Sequence, residues 1–193
     1  MTYAAPGFLL AVLFWTVLTL VVAGAVVFSV LAVKGGLGSI VAAAAFLVVA
    51  VVMIGLPHPP GPPLLGAVLA LAAVAISAFG GSPAVRSVLR LATRPVVEGE
   101  AGGILIAARD EAGGEKRREV LRGGLTVGIL ERIGTTASIL AGVPEAIAVV
   151  IAIKGVGRFS ELGASEAQER FIIGTFVSLG WAALCGALAH LAW

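Results

Sequence analysis

Glu131, Arg132 and Lys154 are ionisable groups set in a stretch otherwise made for hydrocarbon, GILERIGTTASILAGVPEAIAVVIAIKG, residues 128–155. A carboxylate, a guanidinium and an ammonium at one level can relay a proton, hold an anion or lock two helices together. An ionisable side chain at the bilayer centre costs at least about 2.5–3.5 kcal/mol unless it is paired or hydrated. Pairing is therefore an expectation of the fold. The element that must bring it about is the Gly142-Val143-Pro144 interruption. Glu131 precedes Val143 by about as many residues as Lys154 follows it. A helical hairpin turning there sets Glu131 and Arg132 level with Lys154, roughly 17 Å below the turn at 1.5 Å per residue.

Charge placement favours that hairpin. If residues 121–159 made one crossing, Lys154, Arg158 and Arg170 would lie opposite Lys34 and the arginine-rich stretch before residue 122. With a turn, all 13 Lys and Arg residues except Arg132 fall on one side, as the positive-inside rule prefers.

The surrounding chain explains why lipid is the solvent. Of its 193 residues 59% are hydrophobic and 12% charged, against about a quarter charged in soluble proteins, and the mean hydropathy is +1.08. The apolar residues fall in runs of about 20, the length a helix needs to cross hydrocarbon, and not in the short alternating segments of a β-barrel. The expected fold class is all-α: a polytopic helical membrane bundle of about six segments, both termini outside, with a Pro-broken hairpin at 121–159.

Three regions follow. Residues 1–81 hold three apolar runs, Phe8 to Val33, Leu37 to Leu56 and Leu64 to Phe79, separated by KGG and PHPPGPP. The first has no basic residue before it and no cleavage site after it, and reads as an anchor and not a removable signal. Residues 82–120 form a basic, Gly-rich cytoplasmic segment. Ser82 can cap a helix with Pro83 at its first position, and Arg86, Arg90 and Arg94 then share one face. That pattern fits a helix lying among anionic headgroups, or equally a simple extension of the third span. The Gly-broken runs in 95–114 suit a small β-hairpin, and EKRREV reads as a charged helical lead into the next span. The loop GEAGG lacks the Lys-Ser/Thr of a phosphate-binding motif. Residues 121–193 hold the charged hairpin, whose returning segment spans about 145–159, and a last span from Arg170 to Trp193.

Secondary signals concern packing more than chemistry. Gly124, Gly128, Thr135 and Ser138 lie near the face of Glu131, small or hydroxylated as helix contacts in a membrane require. Glu145, just after Pro144, is placed to cap the returning helix. Gly174, Ser178, Ala182 and Gly186 repeat every fourth residue up to His190, a face built for close contact within the bundle or across a subunit boundary. His58 and His190 make a poor metal site without a carboxylate or thiol, Cys185 is the lone cysteine, and no nucleophile has a histidine at plausible depth. No catalytic residue, cofactor or metal is expected, and no nucleic-acid partner.

The block RGGLTVGILERIG…AGVPEAIAVVIAIKGVGRFSEL…ERFIIGTFVSLGW, about residues 122–181, resembles one shared by uncharacterised bacterial polytopic inner-membrane proteins. The resemblance implies that Glu131, Arg132, Lys154, Arg158 and Gly174-Thr175 form one recurring unit, and it carries no activity with it. The first functional expectation is a non-enzymatic accessory or scaffold subunit in the lipid bilayer, assembling as a homo-oligomer or within a larger membrane complex. The second is a small oligomeric transporter or ion pathway in which Glu131 changes protonation. A third, more remote, is an enzyme acting on lipid headgroups through the arginine-bearing segment.

Overall fold

A computed structural model describes residues 5–92, 104–109, 115–120, 124–158 and 165–192. Six helices follow one another: α1 (Ala5–Val33), α2 (Leu37–Gly55), α3 (Pro63–Ala92), α4 (Gly124–Leu140), α5 (Ala146–Arg158) and α6 (Ser165–Ala192). Between α3 and α4 lies a two-stranded hairpin, β1 (Ile104–Arg109) and β2 (Glu115–Val120). Arg94, the loop at 95–103 and Trp193 lie outside the described residues.

Four helices have the length and hydropathy of membrane spans: 7–33, 37–55, 63–92 and 168–192. The chain is an integral, multi-pass, all-helical membrane bundle. The hairpin pair is shorter, 17 residues in α4 and 13 in α5. At 1.5 Å per residue they reach about 25 and 20 Å, less than the ~30 Å of hydrocarbon.

Helix α3 organises the bundle, packing on α1, α2, α4 and, most extensively, α6. Ser29 of α1 lies at Gly80 of α3 and Trp15 at Gly61, so α1 and α3 run parallel. Trp181 of α6 donates its indole N–H to the Ile76 carbonyl at 3.0 Å, and Val85 lies opposite Gly174, so α6 runs antiparallel to α3. Among the fully enclosed apolar side chains are Leu18 and Val22 of α1, Leu47 of α2, Leu69 and Ile76 of α3, and Cys185 and Leu188 of α6. Most other large apolar side chains face outward, among them Leu9, Val41, Leu71 and Phe176, as lipid-facing surface does.

Two local expectations are corrected. Of the two readings of the arginine-bearing stretch, the extension of the third span holds and the separate capped surface helix does not: α3 is continuous for 30 residues with Pro83 inside it, so Ser82 caps nothing and Arg86 and Arg90 extend the span. An interior proline removes one N–H from the helical ladder and crowds the preceding turn, which is tolerated in membranes where neighbours supply donors to the freed carbonyls. Arg132 of α4 donates to carbonyls of the turn that precedes this one, as described below. EKRREV, expected as a helix, is β2, paired antiparallel to β1 with Ile104 opposite Val120 and Arg109 opposite Glu115. Its helix-favouring composition is a weak preference that a partner strand overrides.

The turn between α4 and α5 lies where the Gly-Val-Pro interruption places it. Gly142 has φ +72, the left-handed conformation glycine adopts without penalty. The Val143 N–H donates to the Ser138 carbonyl at 2.9 Å and the Gly142 N–H to the Ile139 carbonyl at 3.0 Å, the paired bonds of a Schellman helix end. Pro144 then bars continuation of α4.

Candidate functional site

Neighbouring residues on a helix point about 100° apart, and Glu131 and Arg132 use that divergence to serve different partners. Glu131 faces α5, where one carboxylate oxygen accepts from Lys154 Nζ in a salt bridge. The residue is 8% exposed. Lys154 Nζ also lies 5.7 Å from the centroid of Phe171 on α6, within cation–π range. The level match between Glu131 and Lys154 expected from the turn is thus present as a direct contact.

Arg132 does not join that pair. It points away into the junction of α3, α4 and α6 and is 2% exposed. Its Nε donates to the Ser77 carbonyl at 2.9 Å and its Nη2 to the Ala78 carbonyl at 3.0 Å and Ser82 Oγ at 2.9 Å. Nη1 donates to Ser178 Oγ on α6 at 3.3 Å. The acceptors on α3 are two carbonyls, of Ser77 and Ala78, and the hydroxyl of Ser82, all on the N-terminal side of Pro83. Ser77 Oγ donates back to the Arg132 carbonyl at 3.4 Å, and Thr136 Oγ1 donates to Ser77 Oγ at 2.7 Å and lies 3.1 Å from the Ala182 carbonyl. One guanidinium with its hydroxyl neighbours therefore ties three helices through four of its planar N–H donors.

Glycine makes the tie possible. A Cβ on Gly81 would collide with Cδ and Nε of Arg132, and one on Gly128 would lie 3.1 Å from its Nη1. Gly128 thus makes room for Arg132, not for Glu131 as its sequence position suggested. Gly80 likewise admits Trp181 and the Ser29 hydroxyl.

The polar groups around Glu131 are less complete. Glu131 Oε1, Thr135 Oγ1 and Thr175 Oγ1 are buried and have no hydrogen-bond partner. Thr135 lies one turn beyond Glu131 on α4, and Thr175 one turn beyond Phe171 on α6, so helix spacing directs them toward the same α4–α6 groove. Ser138 is excluded from this group, since it donates to the Gly134 carbonyl of its own helix at 2.7 Å.

The other expected site residues divide clearly. The stripe on α6 is taken up inside the chain: Gly174 against Val85, Ser178 by Arg132, Ala182 fully enclosed beside Thr136, and Gly186 against Ile139, where an added Cβ would lie 2.8 Å away. It is an internal packing face. Glu145 is exposed, and its carboxylate caps no described N–H; its carbonyl accepts from Ala148 at 3.0 Å. Arg158 ends α5. His190 is exposed near the end of α6, while His58 stacks on Phe14 at 5.2 Å and meets Trp15 edge-on. No group of three metal-binding side chains occurs among the described residues. Ser77, Ser82 and Thr136 were not foreseen. The one signal nearby was Gly80-Gly81 inside an apolar run, small residues that let a side chain of a neighbouring helix approach the backbone.

No family model, no curated protein and no solved structure matches the chain.

Proposed function

We propose that this protein is a non-catalytic bacterial inner-membrane protein, a small accessory or scaffold subunit in which the charged hairpin is a structural clamp. Its termini face outward and the β1–β2 segment faces the cytoplasm, as its cation distribution favours. The observation that carries the reading is the engagement of Arg132. A 2% exposed cation, four of whose five N–H donors go to carbonyls and hydroxyls of two other helices, serves packing. Partner contact falls to α5, which packs chiefly on α4 and turns Val149, Ile153 and Val156 outward, at 59, 69 and 81% exposed. The test is the native mass of the protein extracted gently from its own membrane. A different polypeptide at fixed stoichiometry supports the reading, and a chain that leaves the membrane alone contradicts it.

A second reading is favoured by the unpartnered Glu131 Oε1 with the Thr135 and Thr175 hydroxyls. Here the groove is part of a proton or cation path, Glu131 takes up the proton or ion, and Lys154 is its counter-charge. The protein is then a small oligomeric transporter. Proton flux into vesicles containing only this protein, lost on Glu131→Gln, would select it.

A further inference from the structure

Arg86 and Arg90 stand one turn apart on the extension of α3 and repel each other by about as much as an ion pair at that spacing attracts. Neither makes an ion pair with a described residue. Both line a cleft of about 250 Å³ between α3 and the α1–α2 turn, together with Ser87, Pro83, Gly35 and Gly36, and among the described residues no carboxylate lines it. The opposite wall is the start of α2. Its N-cap is Gly36, which offers no side-chain cap. The first amide to bond back into the helix is that of Ile40, to the Gly36 carbonyl at 3.3 Å. The N–H groups of Leu37, Gly38 and Ser39 thus have no helical acceptor and carry the positive end of the helix dipole. Gly35, at φ +91, makes the tight turn that sets this helix start beside α3, and Lys34 adds a third cation on the same turn.

We propose that this cleft binds a phosphate-bearing anion, with Arg86 and Arg90 on one side and the open amides of α2 on the other. A guanidinium matches two phosphate oxygens at once, and a helix N-terminus is a ready anion seat. The cleft is smaller than the ~300–1,000 Å³ of a drug-sized ligand site, and its volume suits a headgroup or a small phosphate. It lies between two spans at a membrane boundary, where a phospholipid phosphate is one source and soluble phosphate the other. The inference is independent of the subunit reading above.

The test uses the full chain in nanodiscs and native mass spectrometry. Discs of phosphatidylcholine alone and discs with added phosphatidylglycerol are compared, each with and without inorganic phosphate. The variants are Arg86→Gln/Arg90→Gln and, as a charge-matched control in β2, Arg117→Gln/Arg118→Gln. Gly36→Leu adds bulk at a residue that lines the cleft without changing charge, at an extended φ of −163 that any residue adopts. The expected result is one phosphatidylglycerol retained per chain, weakened about tenfold or more by loss of the charged hydrogen bonds in the Arg86/Arg90 and Gly36 variants and unchanged in the control. Inorganic phosphate bound in phosphatidylcholine discs with the same dependence identifies the soluble source instead. Equal weakening in the control, or no anion in either arm that depends on Arg86 and Arg90, overturns the proposal. Should the double arginine variant not fold, Gly36→Leu alone decides, and unchanged retention there overturns it too.

Discussion

Gly81 of α3 lies directly beneath the side chain of Arg132 of α4, with no room between them for a methyl group. The glycine gives the guanidinium its route to the carbonyls before Pro83. Gly81→Ala should therefore displace Arg132 and lose several charge-assisted bonds, lowering stability by about 2–4 kcal/mol. Arg132→Lys should cost a similar amount, because an ammonium lacks the planar fork that reaches two helices. In an Arg132→Ala background, which removes the side chain beyond Cβ, Gly81→Ala should cost well under half of its wild-type value, since the collision is gone. Unfolding in mixed micelles, followed by circular dichroism, reads the cycle, and additive costs would separate the two residues.

Lys154 and Glu131 form the side-chain link between α5 and α4. Removing one member of a fully buried pair strands the other at about 3–5 kcal/mol, an upper bound for this partly buried one, whereas replacing both with apolar residues is often neutral. Lys154→Leu and Glu131→Leu should each destabilise, and the double variant should recover most of the loss. The same unfolding measurement gives the coupling; a double variant as unstable as the sum of the singles would leave the pair without a role in holding α5.

The glycines of α6 should differ by position. A Cβ at Gly186 would press on Ile139 at 2.8 Å, while one at Gly180 meets nothing within 4 Å. Gly186→Ala should destabilise by about 1–3 kcal/mol through overpacking, and adding Ile139→Ala should relieve part of that. Gly180→Ala should be neutral or raise stability by up to about 1 kcal/mol through helix propensity. Melting temperatures of the three variants check the contrast, and equal effects at Gly180 and Gly186 would sink it.

Much of this architecture was legible in the sequence because lipid imposes few solutions. Run length and hydropathy marked α1, α2 and α6, and Gly142 with Pro144 marked the turn that sets Lys154 against Glu131. The misreadings came where local chemistry has two solutions. Ser82-Pro83 carries the signature of a helix start, yet α3 passes through it, packed against α4 and α6 with Arg132 bonded to Ser77, Ala78 and Ser82. Arg132 was grouped with Lys154 by depth alone; the 100° between consecutive helix positions assigns it elsewhere, and only the position of α3 shows where. The α6 stripe announced close packing without naming its neighbour, which proved to be α3 and α4 of the same chain.

The clamp and the pathway readings part most directly at Glu131. The decisive measurement is proton flux into vesicles holding purified wild-type or Glu131→Gln protein, with the unfolding midpoint of each taken on the same preparation. The clamp account predicts that Glu131→Gln lowers the midpoint and that wild-type vesicles are no more permeable to protons than empty ones. An unchanged midpoint, with a wild-type flux that Glu131→Gln abolishes, would contradict it and make Glu131 the centre of a transport site.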